Sequence, residues 1–492
     1  MTKSAGRPRA KIRVLFWSPR AMVVTALALR LLVMGFVYKM QLDPAQDHWT
    51  FGWENGRVAR SIVTGRGFSS PYPEPSGPTA LMPPLYAYLL AGVFKLFGIY
   101  TTASALVILT LNNIFSSLTC LPIFWIARRV FGLRVAAWAG WTWAFFPYAV
   151  FLSNRWIWET ILTMLLLTLL LLMTLHLEWS PSLIAWAGYG VLWGFAALSN
   201  PATLSTLPFL GAWIWLRHWR RGKNCTGGAF VASFIFFIVI TPWIWNSSRN
   251  YGRFVAFRNN FGLEFLSGNT GDGSSPAWVN DLPDENPSEM KKVQRMGEPA
   301  YLAEKQQEAK EWIGRHRLRF AELTLRRMLY NWTGFWSLRP LWTLGGTGLP
   351  HILTYSLVSF LAFAGLGMAI RNGREGAVPL AILLICFPLV YYITHLDERF
   401  RHPIDPIVVI LAAFGAIQFR RQWVRMTWER RDTSLSATGF QILAPSPQLQ
   451  SKTVNRDAYS PASHGDQRLQ EGALLLHRTP PVKRRARVNK FE

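Results

Sequence analysis

Apolar runs of roughly 18–20 residues recur along this chain, and a segment of that length crosses a bilayer as a helix. No water reaches a peptide group inside lipid, so each run must hydrogen-bond within itself. That requirement sets the fold class before any individual side chain is considered. Half of the 492 residues are hydrophobic and 24 are Trp, which places the chain among integral membrane proteins.

The loops between the runs carry the orientation. Arg128-Arg129…Arg134, Arg217…Arg220-Arg221…Lys223, Arg371…Arg374 and Arg420-Arg421…Arg425 are short and basic, the pattern of loops retained in the cytoplasm. The formal charge of +25 is concentrated in these loops and at the two ends. It therefore argues for membrane lipids, and against nucleic acid, as the partner. Fitting helices between the basic loops predicts about ten crossings, near 21–40, 103–126, 135–152, 158–176, 182–199, 202–216, 228–245, 350–370, 377–394 and 405–419. Both termini then face the cytoplasm. The apolar piece Pro84–Phe97 is short, opens on proline and holds Lys95. Counting it as a crossing would invert every later basic loop, so it is expected as a juxtamembrane helix on the outer surface.

The expected organisation is a basic N-terminus (1–20) and a membrane domain (21–419), followed by a polar tail (431–492) that lacks a core-forming pattern. The membrane domain carries a first external loop (41–102) and a long external loop (246–349), whose stretch from Pro299 to Asn331 has amphipathic helical spacing. Arg30 lies inside the first run, where an ionisable residue is a functional candidate or a charge turned to a polar interior. Cys120, Cys225 and Cys386 are scattered and form neither a metal spacing nor a disulfide framework.

Charged residues of other kinds collect on the opposite, external face. The first loop offers Asp43, Asp47 and Glu54; Asp47 and Glu54 are seven apart, so a helix would place them on one face. A carboxylate there can accept a proton from an attacking hydroxyl or amine, or be an ordinary solvated loop residue. Glu159 stands at the external start of an apolar helix, able to orient a substrate or to complement the helix dipole. Arg399, Arg401 and His402 precede the last run, and guanidinium forks match phosphate oxygens in two-point contacts. Arg253, Arg258 and Glu264 lie in the long loop, whose arginines run against the usual charge bias and favour an anionic ligand. The chain has no nucleotide-binding glycine loop, no HExxH and no nucleophile motif.

Two blocks extend this reading. Trp53-Glu54-Asn55-Gly56-Arg57-Val58-Ala59-Arg60…Gly65-Arg66-Gly67-Phe68-Ser69-Ser70-Pro71 opens the chain's outer surface, and Thr241-Pro242-Trp243…Arg249-Asn250-Tyr251…Asn260-Phe261-Gly262-Leu263-Glu264…Gly268-Asn269 follows later. Together with the Pro83-Pro84-Leu85-Tyr86 helix and Arg399-Phe400-Arg401-His402-Pro403, they resemble GT-C glycosyltransferases. The nearest branch is that of bacterial relatives of protein O-mannosyltransferases and of the lipid A aminoarabinose transferase. The resemblance covers roughly Ala21 to Phe419 and leaves out both tails.

It implies an all-α polytopic enzyme of the inner membrane with its active site on the external face. Such an enzyme passes a hexosyl or pentosyl group from a polyprenyl-phosphate donor to a lipid, glycan or protein acceptor, with inversion. A first-loop carboxylate would be the general base; the adjacent Asp-Glu pair common in that loop is absent, so the role falls to Asp47, placed first, or Glu54. Glu159 would support it, and Arg399 and Arg401 would hold the phosphate. Arg253, Arg258, Glu264 and His402 complete the expected substrate contacts. The family leaves room for a divalent metal, which no spacing here demands. A transporter or flippase of lipid-linked or small-molecule substrates is the rival from another class. A non-catalytic scaffold is a further one.

Overall fold

The apolar runs are helical in the computed structural model, which describes residues 16–41, 51–155, 157–180, 182–270, 282–284, 286–334 and 349–437. Residues 1–427 belong to one unit and 428–492 to another. Helix α1 (Pro19–Gln41) enters the membrane domain, and α2 (Glu54–Val63) and α3 (Pro84–Phe97) form the first loop. Then come α4 (Thr102–Leu118), α5 (Cys120–Phe131), α6 (Leu133–Ala144), α7 (Pro147–Arg155), α8 (Thr160–Leu177), α9 (Leu183–Ser199), α10 (Leu207–Trp219) and α11 (Thr226–Tyr251). The long loop holds α12 (Phe261–Thr270), α13 (Pro287–Met296), α14 (Glu298–Arg315) and α15 (Arg317–Thr333). Helices α16 (Leu349–Arg371), α17 (Ala377–Cys386), α18 (Leu389–Ile393) and α19 (Asp405–Ala437) follow. Among the described residues the only β contact is an isolated bridge between Ser69 and Pro78.

Among the described residues six stretches are long and apolar enough to cross a membrane, and the bent pair α6–α7, taken as one span, makes a seventh. The other expected crossings, at 182–199, 202–216 and 377–394, are shorter or broken helices. Proline explains two of the breaks. Pro201 opens a 3-10 turn before α10, and Pro388 separates α17 from α18. In the long loop the expected amphipathic helix is divided at His316, which leaves helical geometry (φ −126°, ψ 43°) between α14 and α15.

The deep arginine serves a further break, the bend between α6 and α7. Pro147 cannot donate to the carbonyl of Trp143, and α6 and α7 meet at 42°. Arg30 is fully buried and donates to the carbonyls of Trp143 (3.2 Å) and Ala144 (3.0 Å). Its Nε donates to Ser116 Oγ at 3.0 Å. The guanidinium thus satisfies backbone groups that lipid could not. Close helix contact uses small residues: a Cβ on Gly190 of α9 would collide with the Ala232 carbonyl of α11.

Helix α8 measures about 27 Å at 1.5 Å per residue and joins two unlike ends. At its C-terminus Glu178 pairs with Arg217 (2.7 Å), Arg221 (2.7 Å) and Arg129 (3.5 Å), and Arg217 also pairs with Glu375. Three of the basic loops therefore gather at one end of the bundle. At the N-terminus of α8 lies Glu159, beside the folded first and long loops. Helix α3 stays at that end, because Phe94 near its C-terminus packs on Phe51 at 5.9 Å.

Candidate active site

A cavity of about 370 Å³ opens at the Glu159 end, walled by the first loop, the start of α8, α12 and the segment between α18 and α19. Local backbone geometry delivers its carboxyls. Gly52 takes φ +82°, and a Cβ there would come within 2.5 Å of the Ile157 carbonyl. Glycine at this position lets the loop lie against residue 157, and α2 then starts with Glu54 facing the cavity. Glu159 stands at the start of α8, makes no side-chain capping hydrogen bond and is almost fully buried.

Four carboxyls line the same space: Glu54, Glu159, Glu264 and Asp284. Burial pushes Glu54 up to about 8, with the nearby charge of Asp284 adding to the rise while Arg57 and Arg399 oppose it. Glu159 is also raised, mainly by burial, against the pull of Arg399 and Arg258. Neither Glu54 Oε2 nor Glu159 Oε2 has a hydrogen-bond partner among the described residues. Buried acceptors of this kind are costly unless a ligand completes them. Glu264 is the opposite case. Burial would raise it, but His395 at 3.0 Å, with Arg258 and Arg399, brings it down to about 2. Asn260 Nδ2 donates to its other oxygen at 2.7 Å.

The cationic side is built on aromatic faces. The Arg399 guanidinium lies 3.8 Å from the Trp158 ring centre, and Trp53 meets Trp158 edge-on at 6.3 Å. Tyr391 and Phe400 stack at 4.4 Å on the adjoining wall, where Asn200 Nδ2 donates to the Tyr391 hydroxyl at 3.0 Å. Arg258 completes the basic lining. Such a cavity can bind an anion, cover an apolar or sugar face with aromatic rings, and hold a proton on a buried carboxyl.

The expected residues do not all converge. Glu54, Glu159, Arg258, Glu264 and Arg399 line the cavity. Arg253 is exposed and donates to the Pro299 carbonyl outside it. Arg401 is buried against Asp405 (2.8 Å) and over the Tyr355 ring (3.5 Å). His402 Nδ1 lies 3.0 Å from the other oxygen of Asp405, stacked near Trp143. These two fix the entry of α19 and do not line the cavity. Asp47 lies outside the described residues.

Other lining groups carry little signal in the sequence. Asp284 receives Arg57 Nη1 at 2.7 Å across 227 positions of chain, and Arg57 is fully buried. Tyr72 and His395 also face the cavity. The Glu54…Arg57 spacing of three places the two on one side of α2 and is the sequence signal for Arg57. Among the described residues no group of three or more His, Cys, Asp or Glu is placed to hold a metal ion.

Comparison with known proteins adds a family. Residues 82–245 match the family described as Dolichyl-phosphate-mannose-protein mannosyltransferase. No curated protein matches the chain. Among solved structures, the archaeal oligosaccharyltransferase AglB from Archaeoglobus fulgidus, in complex with an inhibitory peptide and a dolichol-phosphate, aligns at 14% identity with a TM-score of 0.47. That alignment covers 84% of this chain and 52% of AglB, so the chain spans about half of its length. ArnT from Cupriavidus metallidurans bound to undecaprenyl phosphate aligns at 15% identity and a TM-score of 0.35, covering 79% of this chain and 77% of ArnT.

Proposed function

We propose that this membrane protein, whose residues 82–245 match the dolichyl-phosphate-mannose-protein mannosyltransferase family, is a glycosyltransferase that moves a sugar from a polyprenyl-phosphate donor to an acceptor in the cavity beside α2. The acceptor is a lipid, glycan or protein, and the reaction takes place on the external face of the inner membrane. One observation carries the reading: Glu54, a carboxyl that burial raises to about 8, shares a cavity of about 370 Å³ with Arg258 and Arg399 and with apolar and aromatic walls.

The chemistry is a single displacement. The acceptor heteroatom attacks the anomeric carbon, the bond from that carbon to the phosphate oxygen breaks, and the configuration inverts. The acceptor proton passes to Glu54. The bonding pair leaves with the polyprenyl phosphate, whose charge is met by Arg258 and Arg399. Glu159 orients the acceptor or the sugar hydroxyls from the start of α8. A donor already activated as a phosphate ester needs positioning, proton removal and charge stabilisation, and no nucleotide site. Asp47, in the same loop, is the competing base.

The test is transfer of labelled sugar from polyprenyl-phosphate donors in membranes holding equal amounts of wild type, Glu54→Gln and Asp47→Asn. Loss of about 10²-fold or more in Glu54→Gln, with donor still bound, supports the assignment. The same loss in Asp47→Asn alone would move the base to Asp47. Equal transfer by all three would end the first-loop mechanism.

A further inference from the structure

At the other end of the bundle, away from the cavity, a groove runs between α6 and α19. Helix α6 presents Arg134, Trp138 and Thr142 at intervals of four. Helix α19 presents residues from Ala413 to Arg425 at three- and four-residue spacing, so two helical stripes face one another. The groove encloses about 690 Å³.

Its chemistry is divided along its length. The floor is apolar, with Trp138 and Val424 left 48% and 44% exposed and Ile417 also in the lining. Its mouth holds Arg134, Arg420, Arg421 and Arg425, and no carboxylate lines it. Nearby Arg129, Arg217 and Arg221 are already matched to Glu178. Among the described residues, no carboxylate in the groove's lining balances this charge. Soluble ions would satisfy the arginines but leave the floor in water. A protein segment would need to supply both acidic residues and a narrow apolar ridge.

We propose that this groove binds an anionic phospholipid, with its phosphates on Arg134, Arg420, Arg421 and Arg425 and an acyl chain along Trp138, Ile417 and Val424. Both helices belong to membrane-crossing stretches, so a lipid reaches the groove sideways from its own leaflet. Basic pockets between helices at the cytoplasmic boundary hold phosphate headgroups in this way. The site is separate from the donor cavity by the length of α8.

The full-length chain in mild detergent is offered phosphatidylglycerol, diphosphatidylglycerol and phosphatidylcholine together, and retained lipid is read by native mass spectrometry. The two anionic lipids should be retained about tenfold over phosphatidylcholine. The fourfold variant R134Q/R420Q/R421Q/R425Q should lose that preference, whereas R315Q/R317Q/R319Q/R326Q, with the same change in charge elsewhere, should keep it. Ala416→Trp fills the floor without touching a charge and should also reduce retention, which answers the question even if the fourfold variant fails to fold. Equal retention of phosphatidylcholine, or an equal fall in the control variant, would overturn the proposal. Displacement by excess inorganic phosphate would also overturn it and assign the groove to a free anion.

Discussion

Glu54 gives the cavity its most readable signature. At about 8 its carboxyl is mostly protonated at neutral pH, and only the ionised fraction can take a proton. The kcat/KM of transfer should therefore rise nearly tenfold per pH unit below about 8 and level off above it. Glu54→Gln should be slower by about 10²–10⁴ and lose that rise; kcat/KM across the range decides, and an unchanged profile in the variant would exonerate Glu54. Arg399 makes a different prediction. Its planar guanidinium stacks on Trp158 at 3.8 Å, and an ammonium cannot both stack and offer a fork. Arg399→Lys should weaken donor binding roughly tenfold, with an acceptor KM left near wild type. Residue-level legibility follows locality. Glu159 stood out in the sequence because a charge at the mouth of an apolar helix is expensive, and the structure puts it in the cavity wall. Asp284 did not, because its partner Arg57 lies 227 positions away. The motif Arg399-Phe400-Arg401-His402 looked like one phosphate clamp. A 3-10 turn sends Arg399 to the cavity and turns Arg401 and His402 onto Asp405.

Helices proved more legible than their joints. Length and hydropathy marked the crossing segments, since lipid leaves an apolar run no alternative to internal hydrogen bonding. Breaks depended on what happens to the carbonyls just before a proline, and that is settled by groups from elsewhere, such as Arg30 at the α6–α7 bend. The long loop shows the same dependence at a place that matters for the cavity. Arg327 of α15 is buried and donates to the carbonyl of Tyr392 (3.1 Å), to that of Thr394 and to Asn269 Oδ1 (2.6 Å). It ties α12 to the segment between α18 and α19 that carries His395, the partner of Glu264. Nothing in the periodicity of α15 separated this arginine from its exposed neighbours. Arg327→Gln leaves backbone acceptors buried without a donor and should cost about 2–3 kcal/mol locally. The expected result is faster proteolysis within 246–334 and a raised KM, with the overall helix content unchanged. Rapid cleavage in the membrane helices as well would mean global unfolding and no local tie.

Across the whole molecule, titratable groups outside the spans pull stability in two directions with pH. Glu54, at about 8, and Glu298, at about 7, are raised chiefly by burial and stay neutral in the fold. In the unfolded chain both ionise near the ordinary glutamate value of about 4.3. Between those values the folded state holds protons that the unfolded state has released, so this contribution is complete at low pH and is lost as pH rises through 7 to 8. Glu264, lowered to about 2 by His395 and the arginines against the effect of burial, works the other way. Its contribution is present above the ordinary value and disappears only as pH falls toward 2. Wild type should then melt at a lower temperature at pH 8 than at pH 5.5. The double variant Glu54→Gln/Glu298→Gln keeps both sites neutral, so its melting temperature should depend less on pH and exceed wild type by a few degrees at pH 8. Donor bound in the cavity adds a phosphate negative charge beside Glu54 and should raise that carboxyl further. Thermal melts with and without donor should therefore show stabilisation growing at lower pH in wild type and flat in the variant. Parallel curves for the two proteins would separate Glu54 from the bound phosphate and remove it from the reacting centre.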